Sequence, residues 1–187
     1  MLATLLSATL AVAPPGGPGL SEVESRIVAH IDAHAEEAVR LLERLVNINS
    51  GTMNHEGVRR VGEAIRPRLA AAGFETTWID MPEQVDRAGH LFAFRRGERG
   101  RRVLLIGHLD TVFEADSPFQ TFEREGERAR GPGTEDMKGG DVVIVHALEA
   151  LQAVGALDGT TVTVAFTGDE EDPGSPLSIT RRDLVAA

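Results

Sequence analysis

The sequence predicts an α/β fold in which helices and apolar strands form layers. Two observations carry this prediction. Segments with apolar residues at helical spacing alternate along the 187-residue chain with short runs of β-branched and apolar residues. Two of these runs, 103–106 and 160–167, are apolar enough to lie in the centre of a layered sheet. The length is sufficient for one domain with a substantial core.

The helices follow from capping signals and periodicity. Ser21 and Glu24 form a capping box, after which apolar residues recur at helical spacing to about residue 47. A second helix is predicted over 57–72, with Pro67 inside it and Gly73 just after its end. Further helices are predicted over 139–154 and 177–187.

The strands are short and separated by turn residues. Alternating or continuous apolar patterns mark each of them, and a polar segment with a central glycine marks a hairpin. Strands are predicted at 75–80, 91–95, 103–106 and 160–167, with an edge hairpin within 122–130.

Composition excludes several classes of protein. Hydrophobic residues make up 42% and charged residues 26%, which excludes a disordered chain or a fibrous repeat. The net charge of −10 argues against non-specific nucleic-acid binding, and no apolar run has the ~20 residues of a membrane span. Because there is no cysteine, any metal must be held by histidine, aspartate or glutamate.

Residues 1–20 are predicted to be separate from the domain at 21–187. An apolar stretch at 2–13 ends in small residues and is followed by a proline- and glycine-rich linker. It is either a signal peptide, despite lacking a basic start, or an N-terminal extension. The first reading implies a periplasmic or secreted protein and the second a cytoplasmic one.

Candidate functional residues follow the strand at 103–106. His108 and Asp110 lie two residues apart and point the same way. This geometry suits a metal-ligating imidazole whose second nitrogen is held by a carboxylate. The alternative is a strand-end histidine beside a helix-capping aspartate, and this motif alone does not decide between them.

Two further loops add carboxylates. The glycine-rich loop 131–140 fits neither the phosphate-binding nor the dinucleotide-binding pattern, but it presents Asp136. Taken alone, it favours a turn with a solvated acid. Four consecutive acids at 169–172 follow the strand at 160–167, at the sheet edge where α/β proteins place their sites. Of the adjacent pair, Glu170 and Glu171, one could bind metal while the other takes a proton.

Together the three loops indicate a metal site made of imidazole and carboxylates. Such ligands suit zinc, manganese or cobalt. A bridging carboxylate with one ligand set for each ion is the arrangement of a two-metal hydrolytic site, with ions about 3.5–4 Å apart.

The strings GHLDTV, GPGTEDMKGG and TGDEE, in this order, resemble the dinuclear-zinc aminoacylase/carboxypeptidase metallopeptidase family. That family includes glutamate carboxypeptidase, acetylornithine deacetylase, succinyl-diaminopimelate desuccinylase and peptidase T. The resemblance runs from about residue 22 to the C-terminus. It implies a three-layer α/β/α catalytic domain with a mixed, mostly parallel central sheet.

The resemblance also implies roles for the matching residues. His108 and Glu171 each ligate one zinc ion, and Asp136 bridges the two ions. Asp110 orients the His108 ring, and Glu170 is the general base. The peptide bond between residues 136 and 137 is expected to be cis.

The chain departs from the family pattern by lacking a further acidic ligand, a distal histidine and the lid domain. We therefore expect the truncated first half of a catalytic domain, without lid-mediated dimerisation. Each metal would keep two protein ligands, so the chain alone is expected to be inactive. The activity implied is hydrolysis of an amide bond in a small peptide or N-acyl amino acid. The alternative is an inactive fragment or non-catalytic module.

The remaining histidines carry no predicted role. His30 and His34 are four residues apart on a helix but lack a visible third ligand, so they are interpreted as surface residues. His146 is interpreted as a packed helix residue. His55 and His90 are expected in loops without partners.

Overall fold

The computed structural model describes residues 19–187. Nearly all of the 1–20 segment, including the predicted signal-peptide region, therefore lies outside the described residues. The helices are α1 Glu22–Val46, α2 His55–Ala71, α3 Lys138–Ala153, α4 Leu177–Thr180 and α5 Arg182–Ala186. The strands are β1 Glu75–Ile79, β2 His90–Arg95, β3 Arg99–His108, β4 Glu123–Glu125, β5 Arg128–Arg130 and β6 Thr160–Thr167.

Local capping sets the helix bounds. The Ser21 N–H donates to Glu24 Oε2 at 2.7 Å, and Ser21 Oγ accepts from the Glu24 N–H at 3.3 Å. This capping box starts α1 as predicted. Helix α2 begins earlier than predicted because Asn54 caps it, accepting from the Gly57 N–H at 3.1 Å. Gly73, with a φ of 84°, follows its end.

The main sheet has four strands in the order β1-β2-β6-β3. The predicted mixed sheet is confirmed, but its mostly parallel character is wrong for the described strands. Pairs β1–β2 and β2–β6 are antiparallel, and only β3–β6 is parallel. The connections between the strands explain this. Parallel neighbours require a long crossover connection, and only β3 and β6 are joined by one, through α3.

The two apolar strands occupy different positions in the sheet. Strand β6 is central, as predicted, whereas β3 lies at the edge of the described sheet. Apolar residues on both faces of a strand indicate that both faces are covered. They do not indicate which strands lie beside it in the sheet. On the face of β3 that points away from the long helices, Leu104 and Ile106 remain 39% and 53% exposed.

Helices α2 and α3 cover one face of the sheet, α1 packs against α3, and all three contribute to a single core with the strands. Leu45 of α1, Ile65 of α2 and Val145 of α3 are buried there with Val164 and Phe166 of β6. Helix α4 reaches the opposite face, where the Thr180 carbonyl accepts from His90 Nε2 at 2.8 Å. None of the helices in the described part of the chain is both long and apolar enough to cross a membrane.

The remaining strands form a separate hairpin. Strands β4 and β5 pair antiparallel as their own two-stranded sheet, so the predicted hairpin exists but does not extend the main sheet. Two histidine expectations are also wrong. His90 is fully buried at the start of β2 and accepts from the Gly168 N–H at 3.1 Å. His55 begins α2, and its Nε2 lies 3.1 Å from the Asp86 carbonyl oxygen.

Candidate metal centre

The first and third motifs meet because β3 and β6 are parallel and end together. His108 pairs with Thr167 in the register of the two strands. The Leu109 N–H then donates to the Thr167 carbonyl at 2.7 Å, which holds the two exits side by side. Parallel strands therefore deliver both loops to one edge of the sheet.

Asp110 joins these two loops. Its buried carboxylate accepts from the Glu170 N–H at 3.1 Å through Oδ1 and from the Glu171 N–H at 3.1 Å through Oδ2. Thr52 Oγ1 donates to the same Oδ2 at 2.7 Å. His108 Nδ1 lies 3.1 Å from the Asp110 carbonyl oxygen and 3.4 Å from its Oδ1. One carboxylate thus orients the imidazole and both glutamates.

The pKa of Asp110 reflects these contacts. Burial alone would raise it, but hydrogen bonds from His108, Thr52 and the two backbone N–H groups outweigh burial and lower the pKa below its usual range. Asp110 is therefore a fixed negative charge beneath the site. Thr52 was missed by the sequence analysis, because it reaches the site from the segment before α2 and nothing in its neighbourhood marks it.

The other predicted residues converge on the outer side of His108. Its Nε2 lies 3.0 Å from Asp136 Oδ1 and 3.8 Å from Glu170 Oε2. Ligating atoms of His108, Glu170 and Glu171 all lie within 4.8 Å of one another. The side chains of Asp136 and Glu170 are 73% and 57% exposed. The structure thus brings all the predicted residues together at a solvent-open edge, while their individual roles stay predictions.

Crowded negative charge characterises this edge. Burial raises the pKa of Glu171, and the nearby carboxylates of Asp136, Asp110 and Glu170 raise it further, against the opposing effect of His108. Burial lowers the pKa of His108, but its hydrogen bonds to Asp110 and Asp136 outweigh that effect and raise it to about 9. A divalent cation would relieve this repulsion and replace the imidazole proton.

The four consecutive acids do not form a simple solvated run. Asp169 is fully buried and accepts from Arg181 Nη1 at 2.6 Å and from the Gly174 N–H at 2.9 Å. Asp172 pairs with Arg87 at 2.8 Å. These partners anchor both ends of the run, which leaves the two glutamates between them to face His108.

A second buried layer lies beneath the site. Asp136 and Met137 are joined by a cis peptide bond, as the resemblance implied. Lys138 then turns inward and donates from Nζ to the Ile48 carbonyl at 2.9 Å, and burial lowers its pKa to about 8. The fully buried Asp141 has no hydrogen-bond partner for either carboxylate oxygen among the described residues.

Asp141 explains the glycine that precedes His108. A Cβ at Gly107 would come within 2.3 Å of Asp141 Oδ1, so only glycine lets the end of β3 approach this carboxyl group. Burial raises the pKa of Asp141 well above its usual value. Asp141 was not predicted from the sequence, although a glycine inside an apolar strand is a signal of close approach.

The donor set fits a metal ion of the predicted kind. One imidazole and three carboxylates, with no thiolate, match the ligand preferences of zinc, manganese and cobalt. An α/β domain with His108 and the two glutamates at the carboxyl ends of parallel strands, and Asp136 on the loop before α3, has the arrangement of a metal-dependent hydrolase.

Comparison with known proteins shows which family the chain resembles. Residues 104–186 match the model of peptidase family M20/M25/M40. The chain is 34% identical to carboxypeptidase G2 of Pseudomonas sp. (strain RS-16), an alignment that covers 97% of the chain and 43% of that protein. It is 32% identical to succinyl-diaminopimelate desuccinylase of Novosphingobium aromaticivorans, over 80% of the chain and 39% of that enzyme.

The fold agrees with these matches. Human carnosine dipeptidase 1 superposes with a TM-score of 0.72 at 20% identity, covering 86% of this chain and 37% of that one. The predicted resemblance is therefore confirmed: the chain is similar to peptidase family M20/M25/M40 over residues 104–186 and shares the fold of part of such a catalytic domain. It spans about two fifths of the length of the curated relatives it matches.

Proposed function

We propose that this chain supplies part of the catalytic centre of a metal-dependent hydrolase that cleaves amide bonds in small peptides or N-acyl amino acids. The observation that carries the proposal is the Asp110 carboxylate, which ties the Glu170 and Glu171 backbones to the end of β3 beside His108. A merely solvated acidic loop has no need of such an anchor. The relatives named as a carboxypeptidase and a desuccinylase support this class of substrate.

His108, Asp136 and Glu171 are the residues proposed to hold metal, with Asp136 shared between two ions. When bound, zinc supplies Lewis-acid chemistry, which activates water and polarises the scissile carbonyl. Cobalt or manganese would suit the same donors.

Glu170 is proposed to move the proton. Its carboxylate is 57% exposed and so is accessible from the side where substrate would enter. It would take a proton from the attacking water and pass it to the leaving amine. Asp110 would hold the His108 ring and fix the backbone of both glutamates, so that the base and the ligand keep their separate positions.

A second candidate is a non-catalytic module. It is favoured by one observation: the three-residue ligand set of His108, Glu170 and Glu171 has its atoms within 4.8 Å of one another. An ion held in this way would use Glu170 as a ligand and leave no free base.

The test separates these alternatives in the natural polypeptide that carries these residues. Zinc content and hydrolysis of N-acyl amino acids and dipeptides would be measured for the unaltered protein, E170Q and E171Q. The proposed function requires zinc-dependent hydrolysis that E170Q abolishes while zinc is retained. Zinc binding without hydrolysis, weakened equally by E170Q and E171Q, would instead establish the non-catalytic module.

A further inference from the structure

A second group of histidines lies where α1 packs against α3, away from the sheet edge. His30 and His34 are one turn apart on α1, with ring centroids separated by 4.1 Å. His146 of α3 approaches them, and its ring centroid is 6.5 Å from that of His30. The packing thus brings a third imidazole, which the sequence did not reveal, close to the half-buried His30 and His34.

Hydrogen bonds fix which nitrogen of two rings carries the proton. His34 Nδ1 lies 2.8 Å from the His30 carbonyl oxygen, and His146 Nδ1 lies 3.4 Å from Glu149 Oε2. Carbonyl and carboxylate oxygens only accept, so each Nδ1 carries the hydrogen. In the neutral rings each Nε2 therefore presents a lone pair, as metal-bound histidines do.

The Nε2 of His146 is the observation that points to a ligand. His146 is only 7% exposed, and this nitrogen has no hydrogen-bond partner among the described residues. A buried acceptor without a partner is unusual and costs free energy. Coordination to a cation would satisfy it.

The side chains of Arg68 and Glu149 hold the His146 imidazole in place. Arg68 donates two hydrogen bonds of 2.6 Å to the Glu149 carboxylate, which in turn accepts from His146. This is the carboxylate–histidine arrangement that orients metal ligands. An open depression of about 270 Å³ gives solvent access to His30, His34 and Glu149, whereas the buried His146 is not part of its lining.

We propose that His30, His34 and His146 form a second site for a transition-metal ion such as Zn²⁺, which would brace α1 against α3. Three imidazoles and a water would complete a tetrahedral zinc shell. The His30 and His34 rings now stack, so binding requires them to rotate, and both are only half-buried. His146 lies about 12 Å along α3 from Lys138, which separates this site from the sheet edge.

The test isolates the helical site by removing the other one. In the H108A/E171Q double variant, Zn²⁺ titration by calorimetry should show one bound equivalent. Adding H30A or H34A should weaken this binding at least tenfold and abolish the rise in melting temperature that zinc causes. Adding H55A, which removes a histidine remote from the cluster, should change neither quantity. Zinc binding unaffected by H30A and H34A, or its absence in the folded double variant, would overturn the proposal.

A second measurement covers the case in which the double variant does not fold. In the unaltered chain, the ring-proton resonances of His30, His34 and His146 should shift together on zinc addition, while those of His55 stay in place. If zinc perturbs the resonances of His108 alone, the helical cluster is only a packing feature.

Discussion

The two histidine clusters of this chain are built in opposite ways. At the sheet edge one imidazole, His108, stands among carboxylates, and Asp110 positions the loops around it. Between α1 and α3, three imidazoles gather beside a single ion pair of Arg68 and Glu149. The first arrangement concentrates charge for chemistry at an open edge. The second places imidazole ligands between two helices, which suits a structural ion.

The largest expected effect is at the sheet edge. In the natural polypeptide that carries these residues, Glu170→Gln should lower kcat by about 10²–10⁴-fold, because a general base is lost while the metal ligands remain. Zinc content, measured by atomic absorption, should stay near that of the unaltered protein. If Glu170→Gln empties the site, the roles of Glu170 and Glu171 must be exchanged.

A smaller effect is expected at Asp110, which holds the His108 ring and the backbone of both glutamates. Asp110→Asn should weaken zinc affinity or turnover by about 10–100-fold, because the amide is a poorer partner for the imidazole and the glutamate backbones. Asp172→Asn is the matched control, since that acid lies in the same loop but pairs with Arg87. Circular dichroism should show both variants folded. If Asp110→Asn and the unaltered protein have equal zinc affinity and equal rates of hydrolysis, Asp110 is only a turn residue.

The metal-free chain offers a pH test of the same contacts. The pKa of His108 is raised from 6.5 to about 9, so its charged ring stabilises the folded state. That contribution is fully present below pH 6.5 and is lost as pH rises through 9. In the presence of a chelator, NMR titration of the ring should give a midpoint well above that of an exposed histidine. A midpoint near 6.5 would show that Asp110 and Asp136 do not hold the proton.

The smallest expected effect concerns the charge on His108. Zinc binding at the sheet edge at pH 7 should release about one proton from His108, because that ring is charged in the metal-free chain. In His108→Ala this release should be lost, because the titrating ring is absent. Calorimetry in buffers of different ionisation enthalpy measures the number of protons released by each variant. Equal release by His108→Ala and the unaltered chain would contradict the charged state of His108.

The same contrast explains what the sequence could predict. The sheet-edge residues follow strands or a glycine turn, so local pattern alone placed His108 and the pair Glu170 and Glu171 at carboxyl exits and Asp136 on the glycine-rich loop. The resemblance then gave each of them a role. The helical cluster depends on how α1 packs against α3, and no local pattern joins His30 to His146.

The order of the strands could not be predicted from the sequence for a similar reason. Apolar faces predicted β3 and β6, but the insertion of β6 between β2 and β3 is set by long-range pairing. The buried layer of Lys138 and Asp141 was also missed, because charged residues at a helix start are ordinarily solvated. The one local feature that matches the burial of Asp141 is Gly107, because a Cβ at that position would meet the Asp141 carboxylate.

The most direct test of the sheet-edge centre is anomalous diffraction at the zinc edge from zinc-loaded crystals of this chain. The predicted result is an anomalous peak about 2.0–2.1 Å from His108 Nε2 with an Asp136 oxygen in its coordination shell, and a second peak beside Glu171 that shares Asp136. A zinc-loaded crystal with no peak at His108, or with zinc bound there while Asp136 and Glu171 point away, would contradict the proposed centre.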